Sequence, residues 1–298
     1  MKWKQRRNHL MNQIAIDIGG TNIKAALINE NQEIKDYKKI STPDNVQTLI
    51  IDEVYQLAHE LITKHKLEKP HIGISSAGVV DSELGEIVYT GPTIKNFDGT
   101  NFRRSLKDLY SSMTVHNDVD AALLGELSLN DYEEDNIFCL TLGTGIGGAF
   151  YNQQLGVYGG ARYRANEIGY LLYRDTDQKT FEQRASTSAL KALMQERDFQ
   201  YGTDVPKLFE LAQTNDKQAQ AILEEWATYV AEGIAQIQII YDPGLILIGG
   251  GISSQGENLI QYIEPKINQF LPPNYGHAPI QTTKTENHAA LFGAITEG

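Results

Sequence analysis

One cysteine in 298 residues, Cys139 inside an apolar run, excludes an intramolecular disulfide and a cysteine-rich zinc site. A single thiol packed in a core fits a reducing cytoplasm, where this chain is expected to reside. No apolar run approaches the length of a membrane span. The basic opening "MKWKQRRNHLMNQ" is not followed by an apolar segment, so it does not read as a secretory signal; residues 1–13 are expected to form a disordered extension. Positive charge is also in short supply. Lys and Arg number 26 against 38 Asp and Glu, a net charge of −12 that argues against nonspecific binding to nucleic acid or anionic membranes. The apolar fraction of 41% and charged fraction of 21% are those of an ordinary globular protein, which removes disordered and fibrous classes. The length is sufficient for two domains.

What is present is glycine in clusters. "CLTLGTGIGGAFYNQQ" contains the spacing G-x-G-x-x-G at Gly143, Gly145 and Gly148. A dinucleotide-binding glycine run must open a helix and be followed about 20 residues on by an acidic residue. Here an extended segment and another glycine turn follow, so the spacing is accidental. The remaining plan is strand–GTG–strand, a turn whose backbone N–H groups can wrap a phosphate.

The same plan occurs earlier. "IAIDIGGTNIKAALINENQ" at residues 14–32 reads as strand, glycine turn, strand and polar tip. With a fixed offset Ile14, Ile16 and Ile18 fall on Phe138, Leu140 and Leu142, Asp17 on Thr141, and Gly19 on Gly143. A duplication predicts two related α/β domains facing each other across a cleft. A third cluster, Gly249, Gly250 and Gly251, follows the buried strand "LILIG" and precedes a helix with Leu259, Ile260, Ile263 and Ile267 at helical spacing. Close packing explains those glycines as well as a ligand does; alongside the other two loops, a nucleotide site is the better account. Elsewhere strands ("HIGISSAGVVD", "GEIVY") alternate with helices ("VQTLIIDEVYQLAHELITKH" and residues 217–240).

Several polar residues lie where chemistry is expected. Asp118, in "TVHNDVDAALLGE", stands between a strand and a helix, where open α/β sheets place reactive groups. It suits a general base for a hydroxyl. Its structural alternative is a helix cap, but Asp120 stands directly before "AALLGELSL" and is the better capping candidate. Asp17 at the end of the first strand suits Mg²⁺ bound through waters, or is a plain strand-end carboxylate. Thr21, Asn22 and Lys24 offer donors to phosphate oxygens, although Lys24 also fits an exposed strand position. Glu167 and Glu182 could accept hydrogen bonds from sugar hydroxyls, although each taken alone is more often just a surface residue.

Taken in order, "IAIDIGGTNIKAALI", "GISSAGVVD", "TVHNDVDAALLGE", "LTLGTGIGGAF", "RANEIGY" and "LILIGGGIS" resemble the motifs of the ROK family of sugar kinases and sugar-responsive repressors. The resemblance runs from Ile14 to "NHAALFGAI". It implies the actin-like ATPase (ASKHA, ribonuclease H-like) fold. A small α/β domain is expected at residues 14–125, with the C-terminal helix at about 288–298 as its candidate completion, and a larger one at 126–287. It further implies that Asp118 is the catalytic base and that Asn117, Gly78 and Glu167 contact the sugar. Asp17, Gly19, Gly20, Thr21, Asn22 and Lys24 would hold phosphates and Mg²⁺. Gly143, Thr144 and Gly145 would cradle the β- and γ-phosphates, and Gly250 and Gly251 would pack against the adenosine.

The chain departs from the family pattern in two places. Many members carry E-x-G-H followed by C-x-C-G-x-x-G-C-x-E, a zinc site. This sequence has "EIGY", with Tyr170 in place of the histidine, and "YRDTDQKTFE", which keeps only Glu182. Without thiolates or imidazole no zinc is expected, and local packing must position Glu167 and Glu182. Tyr170 is then a candidate hydrogen-bond donor to the sugar, or packs. The repressors have a helix-turn-helix domain before the first strand, whereas about a dozen residues stand there in this chain. The expectation is therefore an ATP- and Mg²⁺-dependent kinase acting on the 6-hydroxyl of a hexose or derivative. N-acetylmannosamine leads as acceptor, with glucose or a β-glucoside next. The alternatives are an inactive sugar-binding sensor of the same fold and an actin-like ATPase with a protein partner. Homodimerisation is expected from the resemblance alone.

Overall fold

The computed structural model of the protein describes residues 12–91, 94–285 and 288–298. The extension expected at residues 1–13 lies outside the described residues as far as residue 11, and Gln13 already belongs to the first strand. The chain forms two compact units. One takes the described residues through Tyr132, Gly156–Ala165 and the C-terminal segment from His288; the other takes Glu133–Leu155 and Asn166–Thr285. The stretch Gly156–Ala165 thus belongs with the N-terminal unit, although sequence alone assigned it to the second.

In the first unit β1 (Gln13–Ile18) and β2 (Asn22–Ile28) form an antiparallel hairpin, and β3 (Ile34–Ser41) pairs with β2. β4 (His71–Ser76) and β7 (Ser112–Asn117) add in parallel, giving the order β3–β2–β1–β4–β7. β5 (Val79–Asp81) and β6 (Glu86–Tyr89) make a separate pair. β1 is almost wholly buried because both sheet faces are covered, as parallel neighbours require. Its side chains alternate. Ile14, Ile16 and Ile18 face a core that includes Ile50, Val54, Leu57, Ala58 and Leu61 of α1 (Ile50–His65), while Ala15 packs with Leu291 and Ala294. α1 buries one stripe at helical spacing and ends at Lys66, whose left-handed backbone returns its N–H to Ile62 and Thr63. Edge strand β3 carries Lys35, Lys38 and Lys39, charges that oppose edge-to-edge pairing.

The run "HIGISSAGVVD", expected as one strand, is two. β4 stops at Ser76 and β5 begins at Val79, because Gly78 turns the chain with φ of 99°. α2 (Phe102–Ser105) is capped by Asn101, and α3 (Asp118–Leu129) follows β7 directly. α3 lies against α9 (Ala289–Ala294) through glycine on both sides. A Cβ on Gly125 would sit 1.9 Å from the Ala289 carbonyl oxygen, and one on Gly293 would sit 1.7 Å from that of Ala121. The two backbones touch with no side chain between them.

In the second unit β8 (Asn136–Leu142) and β9 (Ile146–Asn152) form an antiparallel hairpin, while β10 (Gly156–Val157) lies in the segment assigned to the first unit. The residues after Gly145 form a strand, not a helix, so the glycine run is not a dinucleotide fingerprint. α4 (Phe181–Ala185), α5 (Thr187–Glu196), α6 (Val205–Gln213) and α7 (Lys217–Tyr241) precede β11 (Leu245–Gly249), α8 (Glu257–Ile267) and β12 (Ile280–Thr282). β11 pairs in parallel with β8 and with β12. The order β9–β8–β11–β12 therefore repeats β2–β1–β4–β7: a hairpin followed by two parallel strands. The core gathers around the long helix α7, where Trp226 is fully buried and donates its indole N–H to the Ala185 carbonyl at 3.0 Å. Among the described residues no helix is long and apolar enough to cross a membrane.

The α3–α9 contact gives a direct test. Gly125→Ala has no room for its methyl group and must separate two backbones, so it is expected to destabilise the protein by about 3 kcal/mol. Thermal unfolding measures this, and Ser128→Ala on the same helix serves as control.

Candidate active site

Most of the expected site residues lie at or just beyond strand ends, whereas Glu167 and Tyr170 lie at a 3-10 turn and Glu182 on α4. In the first unit Asp17 is on β1 opposite Lys24 of β2, and its neighbour on the other side is Ser75 of β4. The carboxylate is buried and accepts from both: Ser75 Oγ at 2.8 Å and Lys24 Nζ at 2.9 Å. Lys24 is thus an ion-pair partner of Asp17 rather than a plain exposed strand residue. The turn beyond Asp17 closes through Gly19 N–H to the Asn22 carbonyl, 3.0 Å. Thr42 holds it from β3's end, donating Oγ1 to the Gly19 carbonyl at 2.6 Å and N–H to the Thr21 carbonyl at 2.9 Å. Gly20 and Thr21 are exposed at the tip.

The parallel register brings two further groups to the same sheet edge. Ser76, the last residue of β4, pairs with Asn117, the last of β7. Asn117 then does three things at once. Its Oδ1 accepts from the N–H groups of Val119 (2.8 Å) and Asp120 (3.3 Å), and its Nδ2 donates to the Gly78 carbonyl at 2.8 Å. Asn117, not Asp120, is therefore the helix cap, a correction to the sequence reading with a simple cause: β7 ends one turn earlier than the apolar pattern of α3 suggests. Asp118 becomes the first residue of α3, half-buried, its Oδ1 accepting from Val119 N–H at 3.0 Å. A carboxylate there is favoured by the positive end of the helix.

In the second unit the GTG turn joins β8 and β9. Gly143 N–H reaches the Gly145 carbonyl at 3.0 Å, and Thr144 is exposed. Two residues from beyond the turn secure it. Glu182 of α4 accepts from Ile146 N–H at 2.8 Å, and Thr187 of α5 donates N–H to the Gly143 carbonyl (2.9 Å) and Oγ1 to the Leu142 carbonyl (3.1 Å). A Cβ on Gly145 would lie 2.4 Å from Glu182 Oε2, so only glycine lets the carboxylate approach. Gly250 passes over the same hairpin, where a Cβ would come within 2.6 Å of the Leu142 carbonyl oxygen; Gly251 opens the following 3-10 turn with free space around it.

Glu167 precedes the 3-10 turn Ile168–Tyr170 and is exposed. Desolvation by surrounding protein, and secondarily the Glu182 carboxylate, raise its pKa above the ordinary carboxylate value. Tyr170 is 64% exposed and so is not a core residue. Among the described residues no three His, Cys, Asp or Glu side chains are grouped as a direct metal site would require. Ser75, Thr42 and Thr187 escaped sequence reasoning, because each acts on a residue distant in the chain and no local motif marks it.

Paired α/β units, each with a hairpin turn of glycine and threonine beside parallel strands, define the actin-like ATPase class of fold. Within that class the chain belongs to the ROK family, which residues 13–296 match. It is 28% identical over 292 residues to a beta-glucoside kinase of Listeria monocytogenes, covering 94% of this chain and 95% of that one. It is 27% identical over 296 residues to an N-acetylmannosamine kinase of Haemophilus influenzae, covering 95% and 94%. A ROK family glucokinase of Streptomyces griseus, solved with glucose and AMPPNP, superposes with a TM-score of 0.79 at 25% identity, covering 95% and 98%.

The Glu167–Glu182 pair yields a pH prediction. Glu182→Gln removes one charge yet keeps an oxygen for Ile146 N–H, so the Glu167 pKa is expected to fall toward the ordinary value, read by carbon NMR of the carboxyl. Because the folded wild type holds the Glu167 proton more tightly than the unfolded chain, its stability declines as pH rises from the ordinary carboxylate value through the raised one. Glu167→Gln should flatten that decline in chemical denaturation.

Proposed function

We propose that this chain transfers the γ-phosphoryl group of ATP to the 6-hydroxyl of a hexose or hexose derivative. Its membership of a family with sugar-kinase relatives supports the class of reaction. The observation that carries the assignment of residues is the position of Asp118, a half-buried carboxylate at the carboxyl end of β7, one residue from the Asn117 bridge to Gly78. In this reading Asn117, Gly78, Glu167, Tyr170 and Glu182 belong to the sugar side. The acceptor is N-acetylmannosamine first, with glucose or a β-glucoside next, in line with the relatives' names.

Phosphoryl transfer asks mainly for positioning and charge neutralisation. Asp118 takes the proton of the 6-hydroxyl as that oxygen attacks the γ-phosphorus, and the bond to the ADP oxygen breaks. The exposed tips Gly20–Thr21 and Thr144 present backbone N–H groups to phosphate oxygens, with Asn22 beside the first and Gly250–Gly251 against the adenosine. Asp17 already faces a cation, the Lys24 ammonium, and stands at a strand end beside an open turn. With both oxygens engaged by Ser75 and Lys24, this carboxylate would hold Mg²⁺ through the ion's water shell, and the ion would supply charge neutralisation on the phosphates. The reading includes no zinc, since Tyr170 offers a phenol where an imidazole would be needed.

The test is a coupled ADP-release assay with Mg-ATP against N-acetylmannosamine, glucose, N-acetylglucosamine, fructose and cellobiose. Turnover on at least one is expected. Asp118→Asn should lower kcat about 10³-fold while the sugar's Kd changes little. An active Asp118→Asn protein would refute the base assignment. A folded, ATP-binding wild type silent on every acceptor would instead favour a sensor.

A further inference from the structure

The five-residue helix α4 is too short to hold its own shape, yet it carries the carboxylate that secures the GTG turn. Its inner side is fixed by packing: Phe181 lies on α7 where Gly233 leaves room, a Cβ there meeting the ring at 2.0 Å, and Trp226 bonds the Ala185 carbonyl. Its outer side faces the segment Leu172–Lys179, an irregular stretch closed by the Arg174–Lys179 bridge and tied to α7 at its middle by the Arg174–Glu232 ion pair. That segment contains two non-glycine residues in the left-handed region, Leu172 and Gln178, both with φ of 55°.

Arg184 closes this side. Its side chain is 3% exposed. One terminal nitrogen, Nη1, donates to the Lys179 carbonyl at 2.7 Å and lies 3.6 Å from Asp177 Oδ1, while Nη2 donates to the Leu172 carbonyl. The two carbonyls lie at opposite ends of the segment, so one planar cation pins both ends to α4, two residues from Glu182. Burying a guanidinium is costly, the more so here because Nε has no hydrogen-bond partner, and an apolar side chain would have filled the space without that cost. What the apolar side chain lacks is the fork geometry that holds two carbonyl oxygens at a fixed separation.

We infer that Arg184 is a positioning residue for phosphoryl transfer: a buried guanidinium that cross-links the segment Leu172–Lys179 to α4 and so sets Glu182 against the GTG turn. Glu182 fixes Ile146 N–H, and the turn ends where β9 begins, so slack at Arg184 reaches Gly145 and Thr144 through two hydrogen-bonded steps. The inference rests on the kinase reading for its kinetic consequence but not for its structural one.

The test compares wild type, Arg184→Lys and Arg184→Met. Hydrogen exchange followed amide by amide reads the structural consequence without any substrate. Exchange at Ile146 and across 172–180 should accelerate about tenfold or more in Arg184→Met and less in Arg184→Lys, with the central amides of α7 unchanged. Steady-state kinetics with the acceptor found for wild type should show KM for Mg-ATP raised about tenfold, with partial recovery in the lysine variant. If Arg184→Met does not fold, the lysine variant alone decides. Unchanged exchange at Ile146 overturns the inference. So does exchange that rises equally throughout α7, which would make Arg184 a general support of the unit. A wild type without turnover would refute the kinase reading while the exchange result still judges the cross-link.

Discussion

The parallel pairing of β1, β4 and β7 is the constraint on which the first half of the site depends. Parallel strands place their carboxyl ends along one sheet edge, so whatever follows each strand emerges on the same side. That single register puts Asp17 beside Ser75, and Ser76 beside Asn117. It holds because β1 and β4 are buried on both faces, by α1 with its apolar stripe and by α9 with small residues. A slip of one residue would exchange the isoleucines of β1 with Ala15 and Asp17, placing a carboxylate in the α1 core. Position of the chemical groups and packing of the core are therefore one requirement.

The second unit meets the same need with different means. Its hairpin repeats the first, but Thr141 stands where Asp17 would, and the turn is anchored from outside by Glu182 and Thr187. The first turn is held by a threonine too, Thr42, acting on the Gly19 carbonyl. In both units glycine lets the backbone come close and a hydroxyl from elsewhere stops it moving. Preorganisation of this kind suits a reaction whose catalysis lies in holding phosphate oxygens in place.

Asn117 shows how little separates structure from chemistry here. One amide caps α3, bridges to Gly78 and so sets the entry angle of the helix whose first residue is Asp118. The glycine contact of α3 with α9 fixes that helix from its far side. The helix that opens with Asp118 is thus held by a cap at one end and by a backbone-to-backbone contact further along.

Residue order alone determined the alternating α/β class, the two strand–turn–strand hairpins and the glycine turns, because burial period and turn chemistry are local properties of the chain. It also singled out Asp17 and Asp118 by their places at strand ends. Only tertiary structure decided that Asn117 and not Asp120 caps α3, that Gly78 divides an apparent single strand, and that Lys24 is paired with Asp17. Only tertiary structure assigned Gly156–Ala165 to the first unit and gave Ser75, Thr187 and Arg184 their tasks. Those outcomes depend on which atoms meet once the chain is folded, at 7 positions' separation for Lys24 and Asp17 and at 45 for Thr187 and Leu142. A hydrogen-bond donor in a sequence carries no sign of the acceptor it will find.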